Sequence, residues 1–243
     1  LLDESYFELV EYLYKRYNIS QELKSDIVTS FKEFLNQLSK LKNLPLPGLE
    51  SQLKMAAVER LEEMQAVALE NKLPKEASVM MLIYPKNDIP HFVLIERTQS
   101  KGKHSGQIAF PGGRKEKTDI DNSVTALRET EEEIGILMED QELVMPLTSI
   151  YIPPSNYMVY PYLAFAKAEL QFTPQPSEVK SIIEIEVSEL LKDKNVSRTT
   201  LSTSYMQEVS VPCFYFGEIM VWGATAMMLQ EIKDVLKKVE FKT

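Results

Sequence analysis

The sequence predicts an α/β fold in which a mixed β-sheet carries helices on its faces, preceded by a helical N-terminal extension. Three observations lead there. Apolar residues recur at helical spacing through residues 1–43. From residue 77 onward, short runs rich in β-branched and aromatic residues appear. Helix-period segments at 122–134 and 224–238 are interleaved with those runs, the order expected when helices cover a sheet.

In the extension, Tyr6, Leu9, Val10, Leu13 and Tyr17 share one helical face. Ser20 is a candidate cap for a second helix with Leu23, Ile27, Phe31, Phe34, Leu38 and Leu41 on one side. Such helices pack on the main domain or on a second subunit, so a homodimer is an arrangement the chain allows. Leu44-Pro45-Leu46-Pro47-Gly48 breaks the pattern and marks the boundary between an extension at 1–43 and a domain at 44–243. A third helix is expected over 49–70, ended by Pro74. Strands are expected at 77–84 and 92–95, with a turn region from Pro85 to Pro90. A polar loop at 98–105 leads to a short strand at 107–110. Further strands are expected within 143–152, 158–166 and 181–187, and a last helix closes the chain.

The 243 residues suffice for one large domain or a smaller one with an appendage. A hydrophobic fraction of 44% and a charged fraction of 26% suit a globular chain with a buried core. The net charge of −9 disfavours duplex nucleic acid as a partner. It leaves a small phosphorylated substrate open, because a bound cation reverses the local field. No apolar run approaches the roughly 20 residues of a membrane helix, so no membrane partner is expected. The single cysteine, Cys213, excludes an intrachain disulfide and fits a reducing compartment; a cytoplasmic location is the expectation. The chain opens on Leu1 rather than Met, which leaves a preceding targeting segment open.

Chemistry concentrates between Gly112 and Ile136. Gly112-Gly113 precede a polar loop, and Asp121 or Asn122 caps a helix that Gly135 ends. At about 100° per residue, Val124, Leu127, Thr130 and Ile134 are expected to face the sheet. Glu129, Glu132 and Glu133 gather nearly opposite, with Arg128 placed to brace a carboxylate. A run of glutamates usually marks a solvated face. Three like charges on one face repel one another, however, and a helix built only for stability would alternate signs. Hard oxygen donors on a rigid face suit Mg2+ or Mn2+, and the upstream glycines let backbone approach a metal or phosphate closely.

Residues 113–136 resemble the signature of the Nudix hydrolases, with Arg128-Glu129-Thr130-Glu131-Glu132-Glu133-Ile134-Gly135-Ile136 matching its core. The resemblance implies an α/β/α sandwich around a mixed sheet. It implies divalent-metal-dependent hydrolysis of a nucleoside diphosphate linked to a variable group. It assigns Glu129, Glu132 and Glu133 to the metal, with a carbonyl of Gly112 or Gly113 completing the site. Arg128 lies one residue further from Gly113 than in the common signature, and Asp119 or Asp121 stands near the place of the upstream glutamate. That expansion is similar to the coenzyme A pyrophosphatase branch. So is the upstream element Arg97-Thr98, His104, Gly106-Gln107 and Phe110-Pro111-Gly112-Gly113, which departs at Thr98 and at Gly102, where the branch has an arginine. Further likeness at Pro45 to Met55, Ile152 to Asn156 and Val221 to Ala226 extends it over 44–243.

The resemblance also implies a further carboxylate, as metal ligand or general base, near Glu178; a plain loop glutamate is the competing reading. His104, Arg97 and Gln107 are the candidates for substrate contact, with an ion pair the rival role for Arg97. His91 receives no role. Tyr151, Tyr157, Tyr160 and Tyr162, like Trp222, Met220, Met227 and Met228, read as packing, and Cys213 as buried and inert. The expected catalytic group is Glu132, Glu133, Arg128 and Glu178, acting with Mg2+ or Mn2+ held by Glu129, Glu132, Glu133 and Gly113. The substrate the resemblance implies is coenzyme A or acyl-coenzyme A, with ADP-ribose or another nucleotide diphosphate as the alternative. A non-catalytic nucleotide-sensing or scaffold module is the reading from another class; the intact carboxylates favour catalysis.

Overall fold

The computed structural model describes residues 30–57, 73–98, 106–201 and 208–238. The expected helix around Tyr6 to Tyr17, the Ser20 cap with Leu23 and Ile27, and His104 with Gly102 lie outside those residues.

Helix α1 spans Phe31–Leu41, and the Ser30 hydroxyl caps it by accepting the Glu33 N–H. Phe31, Phe34, Leu38 and Leu41 are all buried, as their i, i+3, i+7, i+10 spacing requires. Helix α2, Leu49–Leu53, is shorter than the helix expected over 49–70. After Lys54 the chain turns so that Met55 is buried in the core, and 58–70 lie outside the described residues.

Strands β1 (Lys75–Lys86) and β2 (Ile89–Arg97) form a hairpin. Its turn is only Asn87-Asp88, both at positive φ (52° and 62°), the conformation that matches strand twist and that Asn and Asp tolerate. Pro85 and Pro90, expected in the turn, instead face each other across the strand ends. Then follow β3 (Ile108–Ala109), β4 (Gly112–Arg114), α3 (Asn122–Ile134), β5 (Glu142–Pro146), β6 (Ile150–Ile152), β7 (Tyr157–Phe165), β8 (Val179–Glu186) and α4 (Val187–Leu191). Among the described residues, one eight-stranded sheet has the core order β3-β2-β1-β7-β5, with β4 on β1, β6 on β7 and β8 on β2. The β1–β7 pair is parallel and the other pairs antiparallel, so the sheet is mixed.

Alternation along β1 divides the interior. Met80, Leu82 and Tyr84 join Ala126 and Ile134 of α3 in one apolar cluster. Met81 and Ile83 join α1 and the last helix, α5 (Gly223–Lys238), in the other. Helices on both faces make the expected α/β/α sandwich.

A second sheet was not foreseen from the sequence. Strands β9 (Val196–Leu201), β10 (Val209–Phe216) and β11 (Ile219–Trp222) form an antiparallel meander. Strand β9 is polar and largely exposed, and β10 contains Pro212, so neither shows clean alternation. Phe214 and Phe216 stack at 5.7 Å and tie the meander into the core. Cys213, Met227 and Met228 are buried as expected, while Trp222 and Met220 are half-buried. The four tyrosines are half-buried, two with bonded hydroxyls: Tyr151 donates to Asn156 and Tyr160 to Glu76. Among the described residues no helix is long and apolar enough to cross a membrane.

Candidate active site

Helix α3 has the limits its sequence dictates. Asp121 accepts the N–H groups of Ser123 (2.8 Å) and Val124 (3.0 Å). Gly135, at φ 77°, closes the far end. The sheet-facing side differs from the expectation. Thr125, Ala126, Thr130, Glu133 and Ile134 are buried, while Val124 and Leu127 are only half-buried. Glu133 lies within about 20° of Ala126 on the helix surface, so the carboxylates are split by depth. Glu133 has 1% side-chain exposure, Glu129 13% and Glu132 58%.

Glu133 is held inside by two donors. The Gly112 N–H donates to Oε2 at 2.8 Å, and Arg97 Nη1 lies 3.2 Å from Oε1. Burial pushes its carboxyl up to about 7 against the pull of Arg97 and Gly112, and the charges of Glu129 and Glu178 push the same way. Burial likewise raises Glu129, opposed by Arg128 and reinforced by Glu132 and Glu178. Both glycines are required by close approach. A Cβ on Gly113 would overlap the Glu129 carboxylate, and one on Gly112, at φ 153°, would overlap the backbone of Ser78 and Val79.

Arg128 is the hub on the outer side. Its Nε and Nη2 donate to both Asp119 oxygens (3.0 and 2.9 Å). Its Nη1 donates to Glu129 (3.0 Å) and Glu132 (2.8 Å). The sequence leaves Asp119 and Asp121 open as the upstream carboxylate; Asp119 takes Arg128 and Asp121 caps the helix. Glu116 N–H and the Thr125 hydroxyl also donate to Asp119. The Arg128 guanidinium holds the Asp119 carboxyl well below the usual range.

A bulge at Glu96/Arg97 re-aims the end of β2 toward the helix. There Arg97 N–H donates to the Gln107 carbonyl, and Thr98 N–H donates to the Glu178 carbonyl. Gln175 N–H in turn donates to the Glu133 carbonyl. These backbone bonds bring Arg97, Gln107 and Glu178 to the end of α3 that carries Glu133. Arg97 forms the ion pair rather than standing free.

Among the described residues, no three His, Cys, Asp or Glu side chains already converge as a metal cage. Arg128 engages Glu129 and Glu132, and Arg97 engages Glu133. Their chemistry nevertheless fits a divalent cation. They are hard oxygen donors, and burial, with a smaller push from neighbouring carboxylates, raises the proton affinity of Glu129 and Glu133, a cost that a bound cation would offset.

The family model described as the NUDIX domain matches residues 74–203. The chain belongs to the Nudix family. The Nudix hydrolase 15, mitochondrial, of Arabidopsis thaliana is 32% identical over 167 residues, 64% of this chain and 56% of that protein. The chain therefore spans just over half the length of that relative. The human mitochondrial coenzyme A diphosphatase NUDT8 is 27% identical over 159 residues, 65% of this chain and 67% of that protein. A Nudix hydrolase from M. smegmatis, RenU, superimposes with a TM-score of 0.48 at 14% identity, over 70% of this chain and 90% of that one. The organelle names of these Nudix relatives overturn the expectation of a cytoplasmic protein. Net charge and a lone cysteine do not tell one reducing compartment from another. Within the Nudix box, Ile120, between Asp119 and Asp121, is 88% exposed.

Proposed function

We propose that this Nudix protein is a divalent-metal-dependent pyrophosphohydrolase that cuts the diphosphate of a nucleoside diphosphate derivative, with coenzyme A and acyl-coenzyme A as the leading substrates. The observation that carries this reading is the pair of α3 carboxylates gathered at the Gly112-Gly113 backbone, with Glu129 packed against Gly113 and Glu133 accepting the Gly112 N–H. Mg2+ or Mn2+ would be held by Glu129, Glu132 and Glu133, with the Gly113 carbonyl. Such an ion neutralises phosphate charge and lowers the pKa of bound water. Glu178, on an exposed loop tied to β2, is the candidate general base. Arg128 holds Glu129 and Glu132 in place. Arg97, Gln107 and His104 are the candidate contacts for the substrate phosphates. The coenzyme A preference is supported by the upstream sequence element and by the likeness to the human relative.

The test is product analysis by chromatography with Mg2+ or Mn2+. The panel is coenzyme A, acyl-coenzyme A, ADP-ribose, NADH and dinucleoside polyphosphates, with Glu133→Gln alongside. The expected result is cleavage at the coenzyme A diphosphate, lowered at least about 10²-fold in the variant. Preference for ADP-ribose would discard the specificity and keep the reaction class. Absence of cleavage with either metal would sink the enzymatic reading in favour of a binding module.

A further inference from the structure

Ser78 is the one described residue of β1 whose side chain is polar and fully buried without a partner. It lies on the face that carries Met80, Leu82 and Tyr84 toward α3. Its exposure is 0% and its hydroxyl finds no hydrogen-bond partner. A buried unpaired hydroxyl is unfavourable, and an alanine would fill a strand position of this kind without that penalty. Packing alone therefore gives no reason for a serine here.

Its neighbours supply one. Across β4 it pairs with Gly113, and across β7 with Tyr160. Directly paired positions on one face have Cβ sites roughly 4.5–5.5 Å apart. The site of the missing Gly113 Cβ is where the Glu129 carboxylate sits. Arg128 Nη1 binds Glu129 Oε1 at 3.0 Å, and Oε2 is the oxygen nearest the Gly113 Cβ position. An unpaired buried donor and a carboxylate oxygen thus adjoin across a gap that only glycine leaves open.

We propose that Ser78 is a positioning residue of the divalent-ion site. Its Oγ–H, which has no partner while Arg128 holds Glu129, is placed to donate to the Glu129 carboxylate when that group meets an ion, and so fixes its orientation. A neutral hydroxyl suits this task, because it orients the carboxylate without competing for its charge as an arginine does. The proposal rests on the metal-site reading above.

The test measures Mn2+ binding by electron paramagnetic resonance to the full chain and to Ser78→Ala and Ser78→Thr. Thermal midpoints are taken in EDTA beside it. Ser78→Ala is expected to bind Mn2+ roughly 10–100-fold more weakly. Ser78→Thr, which keeps the hydroxyl, is expected to stay close to wild type. In EDTA the alanine variant is expected to melt no lower than wild type, since it removes an unpaired donor. Unchanged Mn2+ affinity in Ser78→Ala, with binding in wild type, overturns the positioning role and leaves the metal site standing. No Mn2+ binding in wild type overturns both.

Discussion

Glu133 sits in an environment far from what a carboxylate prefers. A carboxylate with 1% side-chain exposure pairs with Arg97 and the Gly112 N–H, yet it still holds its proton up to about 7. The consequence for stability follows by linkage. The unfolded chain ionises this group near 4.5 and the folded chain near 7. Between those values the folded state binds more protons, so this contribution is full below about 4.5 and is lost as pH rises through 7. In EDTA, the thermal midpoint is expected to fall between pH 5 and pH 8, by at most about 1.4 kcal/mol of stability per pH unit from this group. Glu133→Gln is expected to flatten that slope; an identical slope in the variant would assign it to other groups. Asp119 works in the opposite sense, since its depressed carboxyl loses stability only in acid, below that window. The sequence marks Glu133 as a candidate ligand but does not give its depth, because depth depends on where the helix meets the sheet. It also leaves Asp119 and Asp121 equal, since burial against Arg128 is what separates them.

At the scale of elements, α3 was the most legible because its limits are set locally. Asp121 accepts the first free N–H groups, and Gly135 adopts the left-handed conformation that lets the chain leave. Gly135→Ala is expected to cost about 1–2 kcal/mol from that conformation alone. A Cβ there would also lie 2.8 Å from Thr173 Cβ. Urea unfolding would measure the loss, and a change below a few tenths of a kcal/mol would mean the turn relaxes freely. Thr173 N–H donates to the Ile134 carbonyl just before that turn. The same segment leads on to Glu178, so the variant is also expected to weaken catalysis by loosening that loop. The β9–β10–β11 meander lies at the other extreme. Its polar edge strand carries no periodic signal, and only its contact with the core, through Phe214 and Phe216, explains it.

Across the whole molecule, the sheet separates chemistry from support. Glu129, Glu133 and Arg128 belong to α3 on one face, while α1 and α5 close the other. The sequence marks residues 1–43 off by the break at Pro45-Leu46-Pro47-Gly48, since composition shifts are visible along a chain and packing across it is not. In three dimensions α1 is held by the fold. Phe31 N–H donates to Asp88 at the β1–β2 turn, and Phe34, with 2% exposure, packs in the same cluster as Phe92, Leu229 and Leu236. This separation has a testable consequence. Phe34→Ala opens a cavity in a closely packed core and is expected to cost about 3–5 kcal/mol of stability. The cavity lies on the face away from the carboxylates, with the rigid β1–β2–β7 core between them. At a temperature where the variant stays folded, kcat/KM for the diphosphate cleavage proposed above is therefore expected to match wild type. Denaturant unfolding and steady-state kinetics on the same preparation decide the matter. A stability loss with intact kinetics supports the division of labour between the two faces, whereas a parallel fall in kcat would show that the α1 side controls the carboxylate geometry through the sheet.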